Sequence, residues 1–245
     1  MVNCKCCAAE AKLLGAVDLN KTCEDHKGKA VFPYASIPIL YYRCNVCGFI
    51  FTDYFDNWKD AEFKQQIYNE DYGKADPDFV SGARSGIANH LANILYPSKE
   101  NIQILDYGSG GNPGHLGKVL LSLGFNLSSY DKFYEANIFP SEKFDVIYSV
   151  EVIEHCPDVK AFAEDIAVLL KPQGILWLAT GLHPHQAGPE ILNSWYIAPR
   201  NGHVSIFTLP ALTALFRPYG ITIMQAIGGI IGFKTRPDFP NQIFA

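Results

Sequence analysis

The second half of the chain alternates short apolar runs with amphipathic segments. Ile102–Tyr107, Phe125–Tyr130 and Phe144–Val150 are apolar runs of strand length. Segments at about His115–Leu123 and Val159–Leu170 instead carry apolar residues at helical spacing. Because strands alternate with helices, the pattern predicts an α/β fold with a doubly wound, mostly parallel sheet. In such a sheet, ligands bind at the carboxyl ends of the strands.

Two helices are predicted before the sheet, over Trp58–Tyr68 and Ala75–Leu95. Asp76 is the expected N-cap of the second helix, and Pro77 suits its first turn because proline has no N–H to leave unpaired there. The segment Tyr68–Gly73 between them is polar and aromatic. It is either a lid over the ligand or a connecting loop with two anchored tyrosines.

The end of the chain is predicted to complete the sheet. A strand at Ile175–Thr180 follows a turn at Lys171–Gly174. The interval from Asp131 to Phe144 has scarcely room for a helix and a strand, so one βα unit is expected to be shortened. The last predicted elements are a helix capped by Thr208 that ends at Arg217, and a hairpin of Ile221–Ala226 and Ile230–Lys234 with Gly228 and Gly229 in its turn.

Composition indicates a globular protein that handles small molecules. The 245 residues are 48% hydrophobic, which is enough for one large domain and a small accessory unit. A net charge of −5 argues against nucleic acid as a partner. No apolar run approaches the roughly 20 residues that span a bilayer, and Met1–Glu10 lacks the apolar core of a signal peptide. The expected compartment is the cytoplasm, with no membrane association.

The cysteines cluster near the N-terminus in two Cys-x2-Cys pairs. Cys4 and Cys7 form the first pair, and Cys44 and Cys47 form the second. Four thiolates from two such turns satisfy a tetrahedral zinc ion, so a structural zinc site is predicted. The alternative is reduced cysteines without a metal. Whether other nearby groups share in the ligation stays open, and those groups are Cys6, Cys23 and His26.

A glycine-rich turn follows the first predicted strand of the sheet. Gly108, Gly110 and Gly111 allow the backbone to turn close beneath a ligand, and the next helix would direct its N-terminus toward that ligand. Asp131 ends the following apolar run, where an acid can hold ribose hydroxyls. A dinucleotide-binding fingerprint fits imperfectly, because the residues after Gly110 do not follow the Gly-x-Gly-x-x-Gly spacing.

Taken together, these residues resemble the class I S-adenosylmethionine-dependent methyltransferases, especially those with an N-terminal cysteine-rich zinc segment. The matching stretches are Leu105–Gly110, Asp131, Phe144–His155, Lys171–Gly174 and Gly202–Thr208. The paired cysteines and the His203 segment are also distantly similar to sugar C-methyltransferases, which usually carry a further C-terminal domain. The resemblance implies a Rossmann-like methyltransferase fold with a small zinc-ribbon-like unit.

The resemblance also implies which residues bind S-adenosylmethionine. Gly108 and Gly110 would lie against its methionine part, Asp106 near its amino group, and Asp131 at its ribose. Ser149 and Glu151, at the end of the fourth strand of the family's sheet, would line the same pocket. The full implied set is Asp106, Gly108, Ser109, Gly110, Asp131, Lys132, Ser149 and Glu151.

Two histidines are the candidates for a catalytic base. Methyl transfer to a hydroxyl requires removal of a proton, and His155 and His203 both follow predicted strand ends. Alternatively, His155 only caps or braces the loop after the fourth strand of the family's sheet. His183 and His185, in the long insertion, are less favoured because that insertion is expected to be mobile.

A catalytic divalent metal is a further alternative. If Glu151, Glu154 and His155 begin a helical turn, their side chains share one face and could bind Mg²⁺ or a similar ion. Some quinone-pathway and small-RNA O-methyltransferases resemble this Glu-x-x-Glu-His pattern and use a metal there. Many other family members carry a similar sequence without one.

The expected organisation has three parts: a zinc-ribbon-like unit at residues 1–56, a helical linker or lid at 57–100, and a methyltransferase domain at 101–245 with an insertion at 181–203. The leading hypothesis is methylation of a small polar metabolite, such as a nucleotide-linked sugar or a precursor of a polysaccharide or secondary metabolite. One alternative is RNA or protein methylation with the zinc unit as a docking module. Another is a non-catalytic scaffold that binds the cofactor.

Overall fold

The computed structural model of the chain describes residues 2–81, 86–134, 138–226 and 229–234. The chain forms two compact units, each built from three stretches of sequence. The first consists of Met1–Ser81, Ile153–Phe162 and Gly181–Leu215, and the second of Gly82–Val152, Ala163–Thr180 and Phe216–Ala245. The three-part organisation expected from the sequence stays a prediction.

The first unit contains a five-stranded antiparallel sheet. Its strands, numbered along the whole chain, are β1 (Val2–Asn3), β2 (Glu10–Asp18), β3 (Pro38–Cys44), β4 (Ile50–Phe51) and β9 (Ser205–Ile206). They lie in the order β1-β2-β3-β4-β9. Ile50 pairs with Ile206, so a strand that follows the insertion at 181–203 completes the sheet that begins at the N-terminal cysteines.

The second unit contains a six-stranded mixed sheet. Its strands are β5 (Gln103–Tyr107), β6 (Asn126–Tyr130), β7 (Phe144–Val150), β8 (Leu170–Ala179), β10 (Ile221–Ala226) and β11 (Gly229–Lys234). Their order is β10-β11-β8-β7-β5-β6, with β6, β5, β7 and β8 parallel. This arrangement confirms the predicted α/β fold with a mostly parallel sheet. Between Asp131 and Phe144, the described residues form no helix or strand, which agrees with a shortened βα unit.

Seven α-helices accompany the sheets in the described part of the chain. They are α1 (Asp60–Gln66), α2 (Tyr72–Ala75), α3 (Pro77–Ser81), α4 (Gly86–Leu95), α5 (His115–Ser122), α6 (Val159–Leu169) and α7 (Leu209–Phe216). Within those residues, no helix combines the length and apolar character needed to cross a bilayer. In the second unit, α4 and α5 contribute Leu91, Leu95 and Leu120 to a core that includes Ile104 and Val146 from the sheet.

The helix predicted over Ala75–Leu95 starts two residues later, at Pro77, and residues 82–85 between α3 and α4 lie outside the described part of the chain. Helix α2 ends at Ala75, and Asp76 has a non-helical backbone (φ −134°, ψ 79°). The cause is Pro77, which disfavours a helical conformation in the residue before it. Asp76 nevertheless caps the next helix as predicted, because its Oδ1 accepts the backbone N–H of Phe79 at 3.1 Å.

Near the C-terminus, the predicted turn lies inside a strand, and the predicted cap and hairpin are confirmed. β8 begins at Leu170, before the predicted turn, but Lys171–Gly174 interrupt its pairing with β7: Leu170 pairs with Phe144 and Ile175 with Val146, and Gln173 has a φ of 67°. Thr208 caps α7, since its Oγ1 accepts the N–H of Ala211 at 3.0 Å. Strands β10 and β11 form the predicted antiparallel hairpin. Gly228, predicted in its turn, lies outside the described residues.

Candidate functional site

The glycine loop of the second unit follows β5 directly. Gly108 and Gly110 have φ values of 80° and 62°, which favour glycine. A Cβ on Gly108 would lie 2.4 Å from Cγ2 of Val152. A Cβ on Gly114 would lie 1.8 Å from the carbonyl oxygen of Ser109. The loop therefore has a shape that side chains at these positions would destroy.

Asp131 ties this loop to the end of β6. Its Oδ2 accepts the backbone N–H of Gly110 at 2.8 Å, and its Oδ1 accepts that of Phe133 at 2.8 Å. Gly108 is fixed to the same strand end, because its N–H donates to the carbonyl oxygen of Tyr130 at 2.7 Å. The carboxylate thus holds the loop in place, and its contact with the cofactor ribose stays a prediction.

Asp106 lies on β5 just before the glycines and is 4% exposed. Burial raises the pKa of Asp106 to about 7; the neighbouring Tyr148 hydroxyl opposes this increase and the charge of Asp131 adds to it. A Cβ on Gly117 would lie 3.3 Å from Asp106 Oδ2, so α5 passes close over the carboxyl group. Near neutral pH this acid is therefore poised between its two protonation states.

The carboxyl end of β7 carries two further predicted cofactor residues. Ser149 is 2% exposed, and its hydroxyl has no hydrogen-bond partner within the described residues. Glu151 has a φ of 53°, an uncommon conformation for a residue with a side chain. Its N–H donates to the carbonyl oxygen of Ala179 at 2.7 Å. A buried hydroxyl and a hydrogen-bonded backbone at the ends of the strands suit the binding of a polar ligand.

The remaining two predicted cofactor residues lie beside the same loop. The Ser109 hydroxyl donates to the carbonyl oxygen of Gly111 at 2.5 Å, which stabilises the turn. The Lys132 ammonium lies 4.7 Å from the ring centre of Phe133. The glycine loop and the polar groups beside it suit a polar ligand, and the roles of these residues in binding S-adenosylmethionine stay a prediction.

An acid and two histidines come together in the first unit. The ligand atoms of Glu154, His155 and His203 all lie within 4.8 Å of one another, and these residues are called the acid–histidine cluster below. The two imidazole rings are 4.8 Å apart and nearly perpendicular, at 74°. Glu154 is fully buried. The structure thus brings together both predicted base candidates, far apart in sequence.

The local backbone explains this arrangement. Glu154 and His155 lie in a single 3-10 turn, Ile153–His155, whose Glu154 carbonyl accepts the N–H of Val204 at 2.9 Å. Gly202 has a φ of 86°, and a Cβ there would lie 3.0 Å from His155 Nδ1. Glycine at this position therefore allows His203 to approach His155.

Glu151 does not belong to the cluster, although the sequence pattern grouped it with Glu154 and His155. Its left-handed backbone lies outside the 3-10 turn, so residues 151–155 do not form one helical turn. His203 takes the third position instead. The sequence could not reveal this pairing, because His203 comes from a distant segment.

Other candidate side chains of the first unit have structural contacts. His183 and His185 direct ring nitrogens at the carbonyl oxygens of Pro184 and Val46, at 2.9 and 2.8 Å. Burial lowers the pKa of His183. The Tyr72 side chain is buried, and the Tyr68 ring lies 6.3 Å from that of His155. Both tyrosines are packed, which favours an anchored connecting loop.

The four cysteines predicted as zinc ligands also meet in the first unit. The Sγ atoms of Cys4, Cys7, Cys44 and Cys47 lie within 4.8 Å of one another. Cys4 is 3.6 Å from Cys47, and Cys7 is 3.5 Å from Cys44. Four thiolates at about 2.3 Å from a tetrahedral zinc ion would be about 3.8 Å apart. The donor set and its spacing therefore fit zinc.

Other groups near the cysteines stand apart from this set. Cys6 is buried but is not one of the four, and burial raises the pKa of its thiol. Cys23 Sγ lies 3.8 Å from His203 Nδ1. His26 Nδ1 lies 2.6 Å from the backbone carbonyl oxygen of Cys23, and neither residue belongs to the four-cysteine group.

Sequence reasoning missed one residue of the acid–histidine cluster's surroundings. Tyr196 donates a hydrogen bond to Glu154 Oε1 at 2.7 Å, and its carbonyl oxygen lies 2.9 Å from His203 Nδ1. The aromatic character of the insertion was the only signal in the sequence. Its partners could not be inferred from spacing.

The chain matches a family model described as "Methyltransferase domain" over residues 51–226. It is 31% identical over 212 residues to the ubiquinone biosynthesis O-methyltransferase of Paramagnetospirillum magneticum (strain ATCC 700264 / AMB-1), covering 73% of this chain and 82% of that protein. With the protein of the same name from Chelativorans sp. (strain BNC1), it shares 29% identity over 160 residues, covering 53% of this chain and 62% of the relative.

Among solved structures, magnesium protoporphyrin IX methyltransferase from Synechocystis PCC 6803 with bound S-adenosylhomocysteine is similar. The identity is 16%, the TM-score is 0.45, and the match covers 74% of this chain and 97% of the other. The family match over residues 51–226 confirms the resemblance seen in the glycine loop and the Phe144–His155 segment. The chain therefore belongs to the methyltransferase-domain family and is an S-adenosylmethionine-dependent methyltransferase.

Proposed function

We propose that the chain transfers a methyl group from S-adenosylmethionine to a hydroxyl of a small polar metabolite. The observation that carries this proposal is the acid–histidine cluster, in which the ligand atoms of a buried carboxylate and two imidazoles lie within 4.8 Å of one another. The relatives' names, which specify O-methyl transfer, support oxygen as the acceptor atom. A phenolic quinone precursor and a nucleotide-linked sugar are the acceptors to compare.

The bound cofactor supplies an electrophilic methyl group on a sulfonium. In the reaction, the acceptor oxygen forms a bond to the methyl carbon while the carbon–sulfur bond breaks, and the hydroxyl proton passes to a base. His203 suits this task. Its Nδ1 faces the carbonyl oxygen of Tyr196 at 2.9 Å and must carry a proton to make that bond, which leaves the lone pair on Nε2.

As an alternative to the histidine base, the same cluster suits a divalent cation, in which case His203 would be a ligand and not the base. Glu154 offers a carboxylate oxygen, and His155 and His203 offer imidazole nitrogens, a donor set used for several first-row metals. A cation held there would bind the acceptor oxygen and lower the pKa of its hydroxyl. This ligand set replaces the one that includes Glu151.

We also propose that Cys4, Cys7, Cys44 and Cys47 hold a structural zinc ion. Two backbone N–H groups, from Val46 and Cys47, point at Cys44 Sγ at 3.4 and 3.5 Å and would stabilise a thiolate there. Such a site needs reduced thiols, which a reducing compartment such as the cytoplasm provides.

The cofactor part is tested by calorimetry with S-adenosylhomocysteine. Wild type should bind, and Asp131→Ala should lose most of the affinity because the glycine loop loses its tether. Asp145→Ala is the matched control. Asp145 also accepts a backbone N–H, that of Gln103 at 2.8 Å. It lies near the start of β7, whereas the predicted cofactor residues of this strand lie at its end. Equal affinities for wild type and Asp131→Ala would contradict the role of Asp131.

The acceptor part is tested by measuring S-adenosylhomocysteine release with a panel of catechols, phenols and nucleotide-linked sugars. Turnover is expected for at least one hydroxyl acceptor. His203→Gln should abolish it while cofactor binding persists. Products that carry the new methyl group only on carbon or nitrogen atoms, or full turnover by His203→Gln, would overturn this proposal.

A further inference from the structure

Tyr196 contacts two members of the acid–histidine cluster at once. Its hydroxyl donates to Glu154 Oε1 at 2.7 Å, and its carbonyl oxygen accepts from His203 Nδ1 at 2.9 Å. The Tyr196 and His203 rings are only 4.4 Å apart. Tyr196 is 8% exposed, so these bonds are shielded from competing water.

The direction of the Tyr196 hydroxyl is determined by a third contact. The backbone N–H of Gly181 donates to the Tyr196 hydroxyl oxygen at 2.8 Å. A tyrosine hydroxyl has one proton, and the Gly181 bond uses its oxygen as an acceptor. The hydroxyl proton therefore points at Glu154 Oε1, which restrains the orientation of that carboxylate.

Gly181 also makes room for the tyrosine ring. A Cβ at position 181 would lie 2.6 Å from Tyr196 Cε1 and 2.7 Å from Cζ. No normal contact is that short, so an alanine at this position would displace the ring. The position of Tyr196 thus depends on a glycine at the start of the insertion.

We propose that Tyr196 is a positioning residue that orients Glu154 and His203 toward a single divalent cation. The inference rests on the metal-binding part of the proposed function. The Tyr196 hydroxyl orients the carboxylate of Glu154. The Tyr196 carbonyl oxygen keeps the ring proton of His203 on Nδ1, which leaves Nε2 to bind the cation. Contacts of this kind, one step away from a metal, hold the ligands in a productive geometry.

Manganese titration of the full chain tests this role. Mn²⁺ is the probe because it prefers carboxylate ligands and binds thiolates poorly, so the cysteine site does not compete. Tyr196→Phe keeps the ring and the carbonyl but removes the hydroxyl. Its Mn²⁺ affinity should fall by about 10- to 100-fold, the usual loss for such contacts.

A matched control comes from the second unit. Tyr219 also donates to a glutamate, Glu164 Oε1, at 3.1 Å, but the pair is exposed. Tyr219→Phe should bind Mn²⁺ like wild type. Gly181→Ala should reproduce the loss seen in Tyr196→Phe, and S-adenosylhomocysteine binding should show that each variant is folded.

The outcomes separate this role from the proposed function. Equal Mn²⁺ affinities for wild type and Tyr196→Phe would overturn the role of Tyr196 but would not contradict the metal site. No Mn²⁺ binding by wild type at millimolar concentration would overturn both. Nitrogen NMR of the His203 ring provides an independent readout: a proton on Nδ1 is expected, and a neutral ring with its proton on Nε2 would contradict the carbonyl contact.

Discussion

The pKa of Asp106 predicts how the stability of the chain changes with pH. In the unfolded chain this carboxyl ionises near 3.8, whereas burial raises its pKa to about 7 in the folded state. Between these values the folded chain holds a proton that the unfolded chain has lost, so stability falls as pH rises from about 4 to about 7. At 1.36 kcal/mol per pKa unit, the full cost is about 4 kcal/mol.

Asp106→Asn should remove this dependence. The amide has nearly the same shape and does not ionise. The free energy of unfolding of the variant should therefore increase relative to that of wild type as pH rises. Between pH 5 and pH 8 the difference between the two proteins should grow by about 3 kcal/mol. Any cost of burying the amide is the same at both pH values and cancels in this comparison.

Urea unfolding at pH 5, 6, 7 and 8 measures the difference, and carbon NMR of the carboxyl follows the titration directly. The NMR signal assigned to Asp106, by its absence in Asp106→Asn, should have its midpoint near pH 7 rather than near 4. A stability difference that is constant across this range, together with a midpoint near 4, would refute the argument from burial. Asp145→Asn, a partly exposed acid on β7, is the control.

Three more predictions concern the loop, the cysteines and a cap. Gly108→Ala should abolish S-adenosylhomocysteine binding in calorimetry, because its Cβ would lie 2.4 Å from Val152; unchanged affinity would contradict the loop geometry. Elemental analysis should find about one zinc per chain, and Cys44→Ser should lose it and unfold the first unit; a folded, metal-free wild type would contradict the zinc site. Thr208→Ala should lower the free energy of unfolding by about 1–2 kcal/mol, whereas Thr208→Ser should match wild type.

Local signals made much of the fold predictable from the sequence. The glycines after β5 and the caps at Asp76 and Thr208 depend on residues within a few positions, so their conformations follow from residue type. The two Cys-x2-Cys pairs are local in the same sense. Their meeting was predictable because four thiolates suit one metal.

Contacts between distant segments were not predictable. Nothing in the sequence around Ser205 indicates a strand that pairs with β4, since two residues are too few to show a hydrophobic period. The same holds for His203, which replaces Glu151 beside Glu154 through the turn at Gly202. The predicted helix starts at Pro77 rather than at Ala75 for a local reason, because Pro77 keeps the preceding residue out of the helical conformation.

The closure of the N-terminal sheet by β9 has a consequence for the order of events during synthesis. Thr208 bonds the carbonyl oxygen of Cys47 across 161 residues, and β9 lies just before it. At about 5–20 residues per second, a ribosome needs roughly 8–30 s to make that interval. All four cysteines of the proposed zinc site are therefore translated long before the strand that completes their sheet, and to bind zinc they must stay reduced during that interval.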